Sequence, residues 1–385
     1  MDKCKYGGIS YIDEVEKIIN NVTLQTGISP VNISTWNSGE KYQRSLLEVL
    51  NLSKVDNIAN YIYSYDIPNT LKKSLLHKIN RNSNANSCAF FTSATSAISS
   101  IAMLSYKRAI KKVVVVQPSY YTVQECFKSY TDIDVASISL SYSKKDCLYH
   151  IPVDKLNYSE AGIIWLTQPV FSTGVYLSVH EIIELCDRFP LVVIDCSLCS
   201  LNQIQLISKL TPPNTIIIGS PHKLIGLNSL KFCYVVGLDE FIDELEDIID
   251  IHFGSLPVTV PIALSHFLSA NFELCTNATE KYILRMRKKC EEIYKSFTSN
   301  ISYNQNSCGI YGMVLVSNSI LNQIVSCSEL YRIFSQTLVA FIPEITADIH
   351  PNTYGFRVNY TLNDNILIPA IGKLLTYLTD HPLLF

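Results

Sequence analysis

Thr215-Ile-Ile-Ile-Gly-Ser-Pro-His-Lys-Leu-Ile-Gly226 decides how the rest of the chain is read. Ile216 to Ile218 make a short apolar run that ends abruptly in a polar turn carrying one lysine, Lys223. A strand covered on both faces belongs to a parallel sheet in an α/β domain. In such sheets ligands bind beyond the carboxyl ends of the strands. A lysine behind a run of isoleucines is partly desolvated, which lowers its amine pKa and suits it to Schiff-base chemistry. The competing reading is a surface lysine on an ordinary strand-to-loop turn. The stretches around it decide.

Bulk properties narrow the classes. At 385 residues the chain has room for two lobes, each with its own core. A net charge of −3 leaves no basic stripe for nucleic acid. Met1 to Gly8 contain no apolar h-region, which argues against secretion, and no apolar run reaches membrane-spanning length. The mean hydropathy of +0.17 then reflects well-filled cores. Twelve cysteines without a spacing pattern suit free thiols in a reducing cytosol. Cys196-Ser-Leu-Cys199 is formally a CxxC, but no second pair stands at metal-ligand spacing.

Working outward, residues 11–21 read as an amphipathic helix, followed by an irregular arm containing Trp36 and Asn37. Tyr61, Tyr63 and Tyr65 alternate as in a half-buried extended segment, and a helix starts at Leu71. Residues 89–98 pass from apolar to small polar residues and into a helix ending near Leu104. Ser93 and Thr95 then bring hydroxyls to a helix N-terminus, an anion site that also reads as plain capping. Residues 112–121 make a buried strand ending at Pro118, with Tyr120 placed to stack on a planar ligand or on its neighbours. Residues 161–174 repeat the strand-to-turn pattern, with a helix over 179–188.

The strand over 191–195 ends in Asp195, the one charge in an apolar run, which must be paired, capping or functional. Residues 89–237 therefore describe an open, mainly parallel sheet with helices on both faces. An acidic helix over 239–252, a hinge or loop over 253–261 and a basic connecting helix over 281–295 follow. From about residue 305, strands over 311–316 and 356–361 alternate with helices over 328–337 and 366–379 in a smaller α+β domain. Arg357 sits inside its second strand, where a buried arginine calls for a carboxylate.

In their order and spacing these stretches resemble the fold-type I pyridoxal-phosphate enzymes, specifically the class I/II aminotransferase superfamily, from about Tyr61 to the C-terminus. The resemblance implies a pyridoxal 5′-phosphate cofactor and a cytoplasmic homodimer of amino-acid metabolism. It also implies an N-terminal helix and arm (1–55) packed on the small domain, a large cofactor-binding domain (56–255), and a linker helix with the small domain (256–385). Ser220-Pro-His-Lys223 resembles the family's Ser-x-x-Lys, which makes Lys223 the aldimine lysine and Ser220 a phosphate ligand. Lys231 stands where the family has a phosphate-binding arginine. Ser93-Ala94-Thr95 resembles its phosphate cup, Tyr120 its ring-stacking aromatic, and Asp195 the partner of the pyridine nitrogen. Arg357 resembles the clamp on the substrate carboxylate, and Tyr63 is chosen from the three tyrosines to reach the neighbouring subunit's phosphate.

The departures matter as much. Phe171 and Leu198 occupy the two positions from which the family donates hydrogen bonds to the ring's 3′-oxygen. Losing both should raise the aldimine pKa and alter which bond is labilised. Gln168 and His222 are the candidates to compensate, and His222-Lys223 also resembles the His–Lys pair of some decarboxylases of this fold. An aminotransferase is the first reading. The second is another reaction class (elimination, cyclisation, oxidation or decarboxylation of a modified amino acid) in specialised-metabolite biosynthesis. Arg357 argues against decarboxylation. A cofactor-sensing regulator is a third, weakened by the Lys223–Asp195 pair.

Overall fold

The structure, a computed structural model, describes residues 9–35, 62–143, 148–152, 162–210, 212–228, 230–297, 301–304, 309–317, 327–344 and 353–380. Trp36, Asn37 and Tyr61 lie outside the described residues.

Helix α1 (Ile9–Thr26) leads to a short strand β1 (Val31–Asn32). A 3-10 turn (Ser64–Asp66) and helix α2 (Asn69–Lys78) precede the sheet. Strand β2 (Cys88–Phe91) feeds α3 (Ala94–Lys107), and β3 (Lys112–Gln117) feeds α4 (Tyr121–Lys128). β4 (Asp134–Ser139) is followed by an antiparallel pair, β5 (Ser141–Ser143) with β6 (Leu148–His150). Next come β7 (Ile163–Thr167), α5 (Val179–Arg188), β8 (Leu191–Asp195), α6 (Leu201–Leu210), β9 (Thr215–Gly219) and β10 (Cys233–Val236). Three helices follow: α7 (Asp239–His252), α8 (Thr259–Leu268) and α9 (Ala270–Tyr294). The remainder comprises β11 (Ile301–Tyr303), β12 (Tyr311–Ser317), α10 (Cys327–Thr337), β13 (Val339–Ala340), β14 (Pro343–Glu344), β15 (Thr353–Asn359) and α11 (Asp364–Asp380).

Seven strands form the central sheet in the order β2-β10-β9-β8-β7-β3-β4. All run parallel except β10, which is antiparallel to both neighbours. β7, β8 and β9 are buried at every residue, the consequence of covering a sheet on both faces. Side chains alternate across it with period 2. Val193, Ile216, Ile218, Cys233 and Val235 face a core closed by α3, α4 and α7. Val192, Ile194, Ile217, Tyr234 and Val236 face the opposite core, closed by α2, α5, α6, α8 and the start of α9.

A third core lies around the four-stranded antiparallel sheet β11-β12-β15-β14. It takes in α10, α11 and the later half of α9, and Val15, Ile18, Ile19 and Val22 of α1 pack into it. β1 pairs with β13, so the segment after α1 is stitched to the same lobe. α9 serves two cores, with Phe272 and Cys275 in one and Ile283, Met286 and Cys290 in the other.

Four expectations need correction. The stretch 253–261 is not loop throughout, because α8 begins at Thr259. Pro261 falls in its first turn, where the missing N–H has no helical partner to lose. The connecting helix starts at Ala270 rather than near Lys281, under a Ser269 cap whose hydroxyl accepts from the Phe272 amide at 3.3 Å. Its first turns hold Asn271, Thr276 and Asn277, weak helix formers rescued by packing. The tyrosine stretch leaves extended geometry after Tyr63 and closes into the 3-10 turn. Finally, eight described cysteines are free thiols, but Cys327 is disulfide-bonded. No helix among the described residues is long and apolar enough to cross a membrane.

One buried ion pair fastens the chain before the sheet to α7. Glu246 Oε1 accepts from Lys72 Nζ at 3.0 Å and from Ser64 Oγ at 2.9 Å, and Ser64 Oγ in turn accepts from the Phe90 amide at 3.1 Å. The side chains of Lys72 and Glu246 are only 5% and 16% exposed. Removing one partner strands the other charge in a low dielectric. Glu246→Ala should therefore lower unfolding stability by about 3 kcal/mol in urea titration, and a loss below about 1 kcal/mol would mean that Lys72 finds water.

Candidate functional site

Strand alternation builds the site. Asp195 follows Val193 by two residues on β8, and Ser220 follows Ile218 by two at the end of β9. Both therefore arrive on the face closed by α3, α4 and α7, at the carboxyl ends of parallel strands. Cys233 of β10 is on that face as well. Burial pushes its thiol up to about 12, the Ser220 hydroxyl and Lys223 ammonium opposing the rise and the Asp195 carboxylate adding to it. Asp195, Ser220 and Lys223 thus share one neighbour, and the structure brings them together.

Asp195 is 4% exposed, and its Oδ1 accepts from the Ser197 amide at 2.9 Å. Lys223 closes a 3-10 turn (Pro221–Lys223) and is half-buried. The Ser220 hydroxyl is buried and makes no hydrogen bond of ordinary geometry among the described residues. A buried hydroxyl in that condition is costly unless a ligand satisfies it. Lys231 is exposed two residues before β10, on the parity of Cys233.

The N-terminus of α3 is held by a reciprocal cap. Ser93 Oγ accepts from the Ser96 amide at 3.1 Å, and Ser96 Oγ accepts from the Ser93 amide at 3.1 Å. The Ser93 hydroxyl is therefore engaged in capping. What the helix end offers an anion is the pair of N–H groups on Ala94 and Thr95, which have no carbonyl to reach within the helix. Thr95 is exposed.

Tyr120 caps α4 and meets Phe171, their ring centroids 5.9 Å apart and tilted by 44°. Leu198 leaves this region and packs against the third core. Arg357 is 1% exposed on β15, donating to the Ser34 carbonyl at 2.6 Å and lying 4.8 Å over the Tyr311 ring. A carbonyl and a ring are thus among its partners. Tyr63 stands elsewhere, beside edge strand β2, to which Ser64 bonds through Phe90.

Neither candidate to replace the two missing donors is available. Gln168 Nε2 donates to the Leu177 carbonyl at 3.1 Å, and its Oε1 accepts from the Leu177 amide at 3.0 Å. Its amide is spent closing the loop that carries Phe171. His222 is 2% exposed and sits edge-on to Phe232 and Phe272, at 5.6 and 5.4 Å, in the opposite core. Successive residues of a 3-10 turn point about 120° apart, so Lys223 and His222 part company at the turn. Packing, not a His–Lys pair, is what the geometry gives. Sequence reading missed Cys233 and Ser197. The Asp-x-Ser spacing, which closes an Asx-turn onto Asp195, was the available signal for Ser197.

Burial, aided by His266, lowers the His222 pKa from 6.5 to about 3. The unfolded chain takes up this proton below about pH 6.5 and the folded chain does not, so stability is full above that pH and declines towards pH 3. His222→Phe removes the linkage. Between about pH 7.5 and pH 5 the wild type should lose about 2 kcal/mol more stability than the variant in urea titrations, and equal losses would contradict a neutral buried imidazole.

No protein-family model matches the sequence, and no curated protein matches it. Solved structures do. YbdL from Escherichia coli, described with a methionine aminotransferase function, is 14% identical at a TM-score of 0.73, covering 98% of this chain and 99% of that one. Aspartate aminotransferase from Thermus thermophilus with maleate is 15% identical at a TM-score of 0.71, with 96% and 97% covered. N-succinyldiaminopimelate aminotransferase from Mycobacterium tuberculosis is 14% identical at a TM-score of 0.70, with 95% and 97% covered. The chain therefore has the fold of the fold-type I aminotransferases.

Proposed function

We propose that this protein is a pyridoxal 5′-phosphate-dependent aminotransferase acting on an α-amino acid. The observation that carries the reading is the convergence of Asp195, Ser220 and Lys223 around Cys233 at one rim of the sheet. The residues fit the cofactor. Ser220 brings a buried hydroxyl whose neighbour is the Cys233 thiol, Ala94 and Thr95 bring free amides, and Asp195 brings a buried carboxylate.

When bound, pyridoxal phosphate supplies an electron-withdrawing ring that takes up the electron pair left at the substrate α-carbon. Asp195 holds a proton on the ring nitrogen, which deepens that sink. Ser220, the Ala94 and Thr95 amides, the Ser93 turn and the Lys231 ammonium hold the phosphate. Tyr120 covers the ring face, with Phe171 beside it. Lys223 would be the amine to which the cofactor attaches, and as a free amine it would serve as the base that takes the substrate's α-proton and the acid that returns it. Arg357, aimed by Ser34 and Tyr311, binds the substrate carboxylate. Tyr63 reaches the phosphate of a second subunit, so the working unit is a homodimer. The eight free thiols support a reducing, cytoplasmic setting, although Cys327 is bonded.

A second reading, another reaction class on the same scaffold, is favoured by one feature. The ring-oxygen side carries Phe171, Leu198 has turned to the third core, and Gln168 is engaged elsewhere. One experiment separates the two. The purified protein is loaded with pyridoxal phosphate and given single amino acids without a keto-acid acceptor. Stoichiometric pyridoxamine phosphate, identified by mass spectrometry, establishes transamination and names the donor. Consumed substrate with the cofactor recovered as pyridoxal phosphate establishes the other class. In either case Lys223→Ala should lose borohydride-fixed cofactor on the intact protein. A retained adduct would refute the attachment site.

A further inference from the structure

The starting point is an orphan. Ser197 is 5% exposed, and its hydroxyl oxygen is buried with no hydrogen-bond partner among the described residues. Its own amide is fastened to Asp195 Oδ1 at 2.9 Å, so the side chain cannot leave the turn that presents the carboxylate. The turn is rigid at its other end too, where the Cys199 amide donates to the Cys196 carbonyl at 3.0 Å. Within it Cys196 faces the opposite core and Leu198 packs on the third. Ser197 alone stays with Asp195. Two of the other orphan serines, Ser100 and Ser208, lie inside helices, and Ser220 lies on the Lys223 side.

The cofactor ring has its oxygen on position 3, meta to the nitrogen at position 1, with the methyl-bearing carbon between them. A donor held next to the nitrogen's partner therefore stands at the nitrogen end of the ring, two ring atoms from the carbon that bears the oxygen. The oxygen ionises, and a buried anion without a donor is strongly disfavoured. Phe171 offers carbon, Leu198 packs on the third core, Gln168 is engaged, and His222 faces away. We infer that Ser197 donates a hydrogen bond to the 3′-oxygen of the pyridoxal ring, in place of the donors that Phe171 and Leu198 lack. This rests on the cofactor-binding reading above and adds a residue to it. The bond draws charge from the oxygen, which otherwise grips the proton on the nitrogen linking Lys223 to the cofactor. Losing the donor therefore raises that proton's pKa.

The test is an absorbance titration of the protein loaded with pyridoxal phosphate, without substrate, alongside borohydride fixation. Ser197→Ala should move the spectral midpoint upward by about one pH unit, a tenfold change in the proton equilibrium. Phe171→Asn in the Ser197→Ala background should bring it back down. A Ser197→Ala midpoint equal to the wild-type value overturns the inference while leaving Lys223 attachment standing. If Ser197→Ala does not bind cofactor, the near-isosteric Ser197→Cys decides. Its weak thiol donor should give an intermediate midpoint, and an unchanged one overturns the inference. A wild-type chain that fixes no cofactor overturns the functional reading and this inference together.

Discussion

Everything at the site depends on the register between β8 and β9, which pairs Asp195 with Ile218. With both faces of the sheet buried, a slip of one residue would carry Asp195 and Ser220 to opposite cores. A carboxylate forced into the core of Ile194 and Tyr234 would have no amide to meet. In the observed register it receives the Ser197 N–H, and its strand end is also bonded through the Gln168 amide at 2.8 Å. The register is pinned by hydrophobic burial along the strands, and the polar end follows from it.

The same sheet explains why β10 matters. Its antiparallel run returns Cys233 to the rim where β8 and β9 end. Gly219 is required where it crosses, since a Cβ there would come within 2.1 Å of the Tyr234 ring. The Tyr234 phenol, fully buried, is pushed well above its ordinary pKa by desolvation. It remains neutral and packs. On one strand, neighbouring residues thus serve an electrostatic rim and an aromatic core.

Much of this was legible in the residues. Helices 179–188 and 239–252 match residue for residue because their ends are written locally. Ser178 and Glu181 form a capping box, Asp239 and Glu240 open α7, and His252 closes it. The strands ending in Asp195 and before Lys223 were visible as apolar runs cut by polar turns. What was not legible depends on tertiary partners. The engagement of Gln168 by Leu177 and the aromatic surroundings of His222 come from segments distant in sequence or from loop closure. The early start of α9 was hidden because its first turns are poor helix formers held by packing. Ser93 was read with two roles, and the cap formed with Ser96 claims its hydroxyl.

The attachment of the arm to β15 sets an order of events in synthesis. Arg357 donates to the Ser34 carbonyl, Ser34 Oγ donates to the Arg357 carbonyl, and the Asn359 side chain donates to the Thr35 carbonyl at 3.0 Å. These partners are 323 and 324 positions apart. On the ribosome the arm emerges 323 residues ahead of its docking partner, so the arm waits while the intervening chain is made. The central sheet, complete by Val236, can condense earlier. Arg357 is aimed only when these two distant segments meet, which makes its orientation a long-range event whose loop-closure entropy is met after the sheet has formed.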